Sequence, residues 1–302
     1  MRESQHSGAT QRSHATAGLR LSVLGPGDTD LHPGWCSLIS SVFTRARFER
    51  WIEWGCWDEG YTAFALYDGD TPVANVSRTR MRLVLEGEER RGWQLGAVCT
   101  HPGYRGRGLG KSLLGAALSG CGSDPVLLFA NPGVRDFYPR YGFVPRAEWT
   151  FEAIHVAAPS GPPAPVLDPA DPAVRARIRA LAAQGKPVSL RFGARGHGDT
   201  ALWYLANGFT PAPREPIPGT LVFCTRVDDR LQIHEVLSHA DVDLAALIPA
   251  LIDAPISRLG FDFTPECLWP QARALAVDPD ADLFVRGFAP TGEHRFPKLA
   301  QT

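Results

Sequence analysis

The sequence predicts an α/β (α+β) protein built from mixed, mostly antiparallel sheets flanked by helices, with two such units in tandem. An apolar strand, a glycine-rich loop and an amphipathic helix follow one another over residues 93–118. Short strands separated by turn residues precede this segment, which indicates an antiparallel meander. After a proline-rich stretch at 158–172, the order strand, strand, helix, strand occurs again. At 302 residues the chain is long enough for two domains of ordinary size.

The bulk composition is that of a globular protein. Hydrophobic residues make up 44% and charged residues 21% of the chain, which is enough for sizeable cores. The formal net charge of -1 gives no whole-molecule attraction to nucleic acid or to an anionic membrane. No apolar run approaches the ~20 residues of a membrane span. We therefore expect neither a nucleic-acid partner nor a membrane partner.

The amino-terminal segment and the cysteines indicate the cellular compartment in which we expect the protein. Residues 1–18 are polar and lack the apolar core of a secretion signal, so we interpret them as a disordered tail. The six cysteines are scattered and form no C-x-x-C pair. This pattern favours reduced thiols in a cytoplasmic protein over disulfides or a metal site.

The first unit is predicted over residues 19–157. Asp28 or Asp30 is placed to begin the first helical region, and Gly55 to end the helix that carries Phe48, Trp51 and Ile52. The last strand of this unit, at 149–155, is expected to close it. The predicted strands are 19–24, 62–66, 73–78, 81–85, 95–100, 126–130 and 149–155.

The loop at 104–111 is the centre of the prediction. It combines glycines with arginines and precedes a helix whose apolar face carries Leu109, Leu113 and Leu114. A loop of this kind aims several backbone N–H groups at one point, at the positive end of a helix dipole, and glycine lets a bulky anion approach. The segment therefore predicts a phosphate-binding cradle.

Spacing separates three kinds of phosphate loop. The P-loop of nucleotide hydrolases needs a glycine where this chain has Arg105, and the dinucleotide fingerprint would need its third glycine at Lys111 or Leu113. The pattern that matches is Arg-x-x-Gly-x-Gly, formed by Arg105, Gly108 and Gly110. It resembles the pyrophosphate-binding motif of the GNAT superfamily of N-acetyltransferases.

A second signature lies downstream of the next predicted strand. Asn131 is followed seven places later by Tyr138, and then by Gly142 and Phe143. This register is similar to the second GNAT motif. The two motifs together imply the GNAT fold, acetyl-CoA as cofactor and acetyl transfer as the activity.

The resemblance also implies how acetyl-CoA is held. Backbone donors of the loop would bind the pyrophosphate, and the edge of the preceding strand would pair with the amide-bearing pantetheine arm. Arg105 and Arg107 would add positive charge, although a solvated Arg107 is an open alternative. The residues expected to contact the cofactor are Val98, Cys99, Thr100, Arg105, Gly106, Arg107, Gly108, Leu109, Gly110, Lys111, Ser112, Asn131 and Tyr138.

Tyr138 is the candidate general acid for direct transfer. A phenol with a pKa near ~10 stays protonated at neutral pH and can donate to the departing sulfur. The alternative is a core tyrosine next to Phe137. Asn131 is expected to orient the cofactor or a water, or else to cap the end of its strand.

The sequence does not identify the residue that acts as general base. Residues 94–100 contain no carboxylate, although many superfamily members place one on or near this strand. The alternatives are a water relay, Glu53 or Asp58, and His101, whose position before a proline is more typical of a turn. The resemblance to tandem acetyltransferases of this superfamily implies a further candidate base, a chain-terminal carboxylate, which here belongs to Thr302.

A tryptophan-rich segment at 47–61 is the candidate acceptor site. Trp51, Trp54, Glu53 and Asp58 combine aromatic walls with carboxylates, a chemistry that suits a cationic amine. The simpler interpretation is a core face backed by a solvated face.

The second unit, at 173–302, is predicted to be a degenerate copy of the first. Its helices are expected at 173–183 and 244–251, and its strands at 188–192, 221–227, 231–237, 259–263 and 283–288. The segment 238–243 stands where the first unit has its loop, and it carries two carboxylates that would repel a pyrophosphate. The segment 193–198 also resembles an anion loop, but without a leucine-repeat helix behind it we expect a plain surface turn. This unit would wall the acceptor cleft or mediate oligomerisation.

The sequence thus predicts an acetyl-CoA-dependent N-acetyltransferase of tandem GNAT type that acts on the primary amine of a small molecule, such as a metabolite or an antibiotic. Acetylation of a protein lysine or N-terminus, and a non-catalytic module that senses acetyl-CoA, are the alternatives. A homo-oligomer is left open.

Overall fold

In the part of the chain that the structure describes, two β-sheets, one of eight strands and one of six, carry the fold. The structure, a computed structural model, describes residues 18–278 and 282–302. The tail predicted over residues 1–18 lies outside this range except for Gly18.

The first sheet has the strand order β1-β2-β3-β4-β5-β14-β6, and β8 pairs with the far end of β3. Only β4 and β5 run parallel; the other pairs are antiparallel. Its strands are β1 (Arg20–Leu24), β2 (Tyr61–Asp68), β3 (Thr71–Leu85), β4 (Glu88–Thr100), β5 (Val126–Phe129), β6 (Val144–Arg146), β8 (Phe192–Arg195) and β14 (Leu283–Arg286).

One long strand replaces two of the predicted ones. The strands expected at 73–78 and 81–85 are both part of β3, because Arg80 pairs with Trp93 of β4 and the ladder continues without a turn.

The second sheet has the order β13-β7-β12-β11-β10-β9, and its parallel pair is β11 with β12. The sequence β10, β11, helix, parallel β12 therefore repeats the sequence β3, β4, helix, parallel β5. This repetition confirms the predicted fold class of two similar mixed sheets. Its strands are β7 (Trp149–Ala157), β9 (Arg214–Ile217), β10 (Thr220–Val227), β11 (Arg230–Ser238), β12 (Ile256–Phe261) and β13 (Arg273–Val277).

The helices lie on the faces of these sheets. The first begins at His32 with Leu31 as N-cap, later than expected, because the Asp28 carboxylate instead accepts from the Gly25 N–H at 2.8 Å. Among the described residues, every helix falls short of the length and apolarity that crossing a membrane requires. The α-helices are α1 (His32–Val42), α2 (Glu49–Glu53), α3 (Leu109–Ser119), α4 (Pro172–Gln184), α5 (Gly198–Ala206) and α6 (Leu244–Leu247).

Strands cross between the two halves of the chain: β8 and β14 of the second half lie in the first sheet, and β7 of the first half lies in the second sheet. The strand expected to close the first unit is β7, but it lies inside the second sheet, between β12 and β13. In return β14, from the carboxyl-terminal part of the chain, lies between β5 and β6 and buries Phe284 and Val285. Both sheets therefore contain strands from either side of the predicted linker at 158–172.

The glycine-rich segment 193–198 is not the surface turn that the sequence suggested. His197 is buried and its Nε2 lies 3.0 Å from Glu235 Oε2. A Cβ on Gly198 would lie 2.7 Å from Arg179 Cα, so only glycine allows this close approach. The turn joins β8, expected four residues earlier, to α5, a helix that the sequence did not predict.

The carboxyl-terminal segment is held inside the protein. Phe296, Leu299 and Ala300 are buried, and the Phe296 N–H donates to Glu148 Oε1 at 2.6 Å. Burial raises the pKa of Glu148 to about 7, although the Phe296 N–H and the charge of Arg295 oppose this change. The segment is thus tied to a carboxyl group that titrates near neutrality.

Glu148→Gln is expected to change how stability depends on pH. The folded-state pKa is raised from 4.5 to about 7, so the native state binds this proton more tightly than the unfolded state does. The stabilisation of the native state by this tighter proton binding is complete below pH 4.5 and is lost as the pH rises through about 7. Glutamine keeps the acceptor but does not titrate, so the stability of the variant relative to wild type should rise across this window, by roughly 3 kcal/mol at most.

The measurement is the free energy of unfolding in denaturant at several pH values between 4 and 8. The exposed Glu59, replaced by glutamine, is the matched control and should follow wild type. Parallel curves for wild type and Glu148→Gln would show that Glu148 does not titrate as inferred.

Candidate active site

The glycine-rich loop joins β4 to α3 with two residues in the left-handed backbone region. Gly106 has φ 76° and Gly108 has φ 73°. His101, one of the candidate bases, shapes the preceding turn, since its Nδ1 accepts from the Gly103 N–H at 3.3 Å. Gly108 is the N-cap of α3 and makes no side-chain cap.

The loop presents unpaired backbone donors. In the described part of the chain, the amides from Gly106 to Gly110 donate no hydrogen bond. They lie at the amino terminus of α3, where the helix dipole favours negative charge. Free backbone donors at a helix amino terminus are the arrangement that anion sites use, and the phosphate-binding role of this loop stays a prediction.

The strand β4 has an unpaired edge next to this loop. Its parallel pairing with β5 covers only Trp93, Gln94 and Leu95, whereas β4 itself continues to Thr100. Beyond Leu95 the backbone of β4 therefore faces an open gap on the β5 side. A ligand that carries amide groups could complete the ladder there.

A bulge in β4 accompanies this gap. The register with β3 shifts between Asn75 and Ser77, and Ala97 has φ 47°, which is unusual for a residue with a side chain. Asn75 is fully buried and donates to the Ala97 carbonyl at 2.9 Å, while its own oxygen accepts from Trp35 Nε1 at 2.8 Å. Buried side-chain hydrogen bonds therefore fix the bulge.

Tyr138 lies in the wall of the cleft beside the gap. Its side chain is 3% exposed and packs against Phe137, Phe143 and Phe284. Burial raises its pKa to about 12, so the phenol carries its proton at neutral pH. Such a group can donate a proton and cannot serve as a resting base.

Asn131 follows β5 and faces the same cleft. It is exposed, and its side chain makes no capping bond to the turn at Pro132–Val134. The amide is therefore available to a ligand, and the strand-end cap considered for it is not formed.

Two cysteines border the cleft, and neither is an activated nucleophile. Burial raises the pKa of Cys56 and of Cys99 to about 12. Both thiols therefore stay protonated, a state in which they attack acyl groups poorly.

One cleft of about 920 Å³ joins all these features. At one end, which we call the loop end, it is lined by Gly106, Gly108, Leu109, Gly110 and Lys111. The opposite, acceptor end is lined by aromatic side chains and two carboxylates. These residues are Phe48, Trp51, Tyr61, Trp203, Asp58 and Asp199.

Part of the acceptor end comes from α5 and was missed by the sequence reasoning. Asp199, Thr200 and Trp203 line the cleft from this helix. Burial raises the pKa of Asp199 although Arg179 lies 2.6 Å away and favours the charged form. An aspartate directly after the glycine-rich turn was the only local signal for this contribution.

Several predicted residues do not line the cleft. Trp54 follows the last turn of α2 and lies between the guanidinium groups of Arg50 and Arg175, at 5.6 and 5.0 Å. Glu53 is exposed on the same helix. Because a helix turn takes 3.6 residues, Glu53 points to the side of α2 opposite Trp51.

In the loop, two further expected contacts point away from the cleft. Arg107 stacks on Tyr104 at 5.1 Å, and Ser112 is exposed on the outer face of α3. By contrast Arg105 lines the cleft, with its Nε donating to the Thr100 carbonyl at 3.3 Å. Val98, Cys99 and Thr100 line it as well.

Thr302 lies against the bulged part of β4. Its N–H donates to Gln94 Oε1 at 2.9 Å, and Gln94 Nε2 donates to the Ala300 carbonyl at 2.8 Å. A Cβ on Gly96 would lie 2.8 Å from Thr302 Oγ1 and 3.1 Å from its carbonyl carbon. The absence of a side chain at Gly96 therefore gives Thr302 its position in the cleft.

Segment 238–243 of the second unit differs from the glycine-rich loop. It leads into α6, whose amino terminus is capped by Asp243 through the Ala246 N–H at 3.2 Å. Asp241 pairs with Lys186 at 2.5 Å. One backbone donor at this helix terminus is thus occupied by a carboxylate of the chain itself.

Comparison with known proteins identifies the domain. Residues 27–146 match the family model described as an acetyltransferase (GNAT) domain. No curated protein matches the sequence.

Solved structures share the fold along most of the chain. Eis1 from Mycobacterium abscessus is 11% identical over 88% of this chain and 73% of its own, with a TM-score of 0.55. A GCN5-related N-acetyltransferase from Anabaena variabilis is 15% identical over 88% and 72%, with a TM-score of 0.53. A probable N-acyltransferase from Enterococcus faecalis is 14% identical over 89% and 72%, with a TM-score of 0.52.

These identities establish a shared fold, and the matched domain contains the glycine-rich loop, the open strand edge and Tyr138. Residues 27–146 therefore match a GNAT acetyltransferase domain, and most of the chain shares its fold with a solved GCN5-related N-acetyltransferase.

Proposed function

We propose that this protein transfers the acetyl group of acetyl-CoA directly to the primary amine of a small cationic molecule. The observation that carries the proposal is the continuity of one cleft from the loop end, past Tyr138, to the acceptor end with its two carboxylates. Because both substrates would meet in this cleft, a covalent enzyme intermediate is not required. The six free cysteines accord with a cytoplasmic location.

The residues of the loop end suit acetyl-CoA. Unpaired amides from Gly106 to Gly110 would bind the pyrophosphate, with Arg105 and Lys111 adding positive charge. The free edge of β4 at Val98, Cys99 and Thr100 offers main-chain partners to the amides of the pantetheine arm. When bound, acetyl-CoA supplies a thioester whose carbonyl carbon an amine can attack.

The acceptor end supports a cationic substrate. Asp58 and Asp199 provide negative charge, and the faces of Trp51 and Tyr61 provide surfaces for an ammonium group. At this end α2 and α5 lie against each other, because Trp51 Nε1 donates to the Asp199 carbonyl at 2.7 Å, so both halves of the chain would contact the acceptor.

We assign the two proton transfers to Tyr138 and to Thr302. The buried phenol of Tyr138 would donate to the leaving sulfur. Removal of the amine proton would fall to the terminal carboxylate of Thr302, which Gln94 and Gly96 hold beside β4. Asn131, at the other side of the gap, would orient the cofactor.

Tyr138→Phe is expected to lower the rate of acetyl transfer by ~10² to 10⁴, because the variant keeps the ring packing but loses the proton donor. Affinity for coenzyme A should not change. Thiol release from acetyl-CoA against a panel of amines measures the first quantity, and calorimetry the second. Tyr141→Phe, in the same cleft, is the matched control and should retain activity. A wild-type rate in Tyr138→Phe would remove its role as acid.

Gly108→Ala is expected to weaken coenzyme A binding about tenfold. A left-handed residue with a side chain costs roughly 1–2 kcal/mol, and relaxing it would turn the neighbouring amides away from the phosphates. Gly115→Ala, in the middle of the same helix with open space around the added methyl group, is the control. It should bind normally and gain stability. Equal affinity in both variants would contradict the phosphate assignment.

Removing Gln301 and Thr302 is expected to lower turnover by ~10² to 10⁴ with coenzyme A affinity retained, since the proposed base is lost. Adding one glycine after Thr302 should also lower turnover, because both side chains remain but the carboxylate is displaced. Steady-state kinetics on the two variants provides the test. Full turnover in the shortened chain would eliminate the terminal carboxylate as base.

A further inference from the structure

A second pocket, of about 470 Å³, opens on the second sheet. It shares no lining residue with the cleft of the acetyltransferase domain. Its walls come from β7, β10 and β11, from the end of β12 and the residue after it, and from Asp278 and Arg295. None of the chemistry assigned above uses it.

Three side chains in this pocket form a continuous hydrogen-bonded series. Thr225 Oγ1 lies 2.9 Å from His234 Nε2, and His234 Nδ1 lies 2.7 Å from Asp262 Oδ2. The second oxygen of Asp262 accepts from Gln232 Nε2 at 2.8 Å. The carboxylate is thus held from both sides, and it holds the imidazole ring in turn.

The direction of these bonds follows from the charge of Asp262. Burial alone would raise its pKa, but the bond to His234 and the nearby positive charges lower it. An ionised carboxylate can only accept, so the proton of a neutral His234 must lie on Nδ1. Nε2 is then an acceptor for the Thr225 hydroxyl. This is the polarity by which a histidine activates a hydroxyl group.

His234 lies on the pocket face of β11, next to a β-bulge. Leu231 and Ile233 belong to the core on the α6 side, so the alternation of the strand places Gln232 and His234 on the opposite face, where both line the pocket. The bulge lies at this point, because Phe223 pairs with Glu235 and Cys224 with Ile233, which makes His234 the extra residue in β11. The next residue in the α6-side core is Val236, three places after Ile233.

Two guanidinium groups in the pocket keep unused donors. Arg230 and Arg295 line it, and among the described residues the buried Nε of each has no hydrogen-bond partner. Their other nitrogens pair with Glu152 and with Asp278, which fixes the two side chains. Gly260 makes room for the first of them, because a Cβ there would lie 2.5 Å from Arg230 Nε. The positive charge of the two side chains suits the negative charge that develops on a carbonyl oxygen under attack.

We propose that Thr225 and His234, oriented by Asp262, form a hydrolytic site for small carboxylic esters, distinct from the acetyltransferase cleft. Thr225 Oγ bonds to the ester carbonyl carbon while His234 Nε2 takes the hydroxyl proton. The bond from that carbon to the alkoxy oxygen then breaks, and His234 gives its proton to the departing alcohol. Water, deprotonated by His234, next attacks the acyl-threonine, which releases the carboxylic acid and restores the Thr225 hydroxyl.

The test is hydrolysis of 4-nitrophenyl acetate by the full chain and by Thr225→Val, which has the shape of threonine without the hydroxyl. We expect the replacement to lower kcat/KM at least ~10²-fold and Thr225→Ser to restore it. A fluorophosphonate should label wild type at Thr225, as mapped by peptide mass spectrometry. Hydrolysis that is equally fast in Thr225→Val, or a label confined to other residues, would overturn the proposal.

Two variants distinguish the proposed ester hydrolysis from the proposed acetyl transfer. Thr225→Val should leave amine-dependent thiol release from acetyl-CoA unchanged, whereas Tyr138→Phe should lose that activity and keep ester hydrolysis. A failed acetyltransferase assignment would therefore not be mistaken for a failed ester site.

Asp262→Asn tests the positioning role. An asparagine amide would donate to Nδ1 and leave the proton of His234 on Nε2, where it blocks acceptance from Thr225. We expect kcat to fall while KM stays unchanged. A change in KM alone would assign Asp262 to the shape of the pocket and overturn this part of the mechanism.

Discussion

The hydrogen bond from Asn75 to the carbonyl of Ala97 holds the feature on which the acetyltransferase cleft depends. It fixes a residue with positive φ in the middle of β4, and the resulting bulge bends the strand just after its last pair with β5. Trp35 occupies the other side of the Asn75 amide, so the group is fully satisfied in the core. Losing such a buried partner costs about 1–3 kcal/mol per orphaned group, a large share of the stability of a domain. Buried hydrogen bonds in the core behind the strand therefore fix the open edge that would receive a pantetheine arm.

The second half of the chain completes the cleft although its own loop has lost the features of a phosphate site. The helix α5 brings Asp199 and Trp203 to the acceptor end, and the final segment brings Thr302 to β4. Exchange of β7 and β14 makes this arrangement rigid, because each sheet contains a strand that belongs to the other half in sequence. A shared hydrophobic core spans the two halves and includes Trp51, Ile178 and Phe223. The degenerate unit is thus a structural part of the site of the first one.

What the sequence could predict was local. The glycine loop, the strands beside it and the register from Asn131 to Tyr138 depend on spacing within a few residues, and the structure brings them to one cleft. What it could not predict depends on distant partners. The segment 193–198 is buried by the pair of His197 with Glu235, which lie 38 residues apart. Trp51 and Trp54 would share a face on a longer helix, but α2 ends at Glu53 and only Trp51 remains in the cleft. The pairing of β7 and β14 likewise follows from no local pattern, since alternation identifies a strand without identifying its neighbour.

The two bulges relate the acetyltransferase cleft to the proposed ester site. β4 and β11 are corresponding strands, each the second of a hairpin and each parallel to the strand that follows its helix. In β4 the irregularity follows Leu95, the last residue paired with β5; in β11 it follows Ile233, the last residue paired with β12. In the first unit the strands then diverge, and the gap between them stays open to the cleft. In the second unit the gap is bridged by the bond from His234 to Asp262, the residue after β12. In both sheets the irregularity therefore marks the point where two parallel strands stop pairing: in the first it lies beside the open strand edge, and in the second it lies beside the proposed ester site.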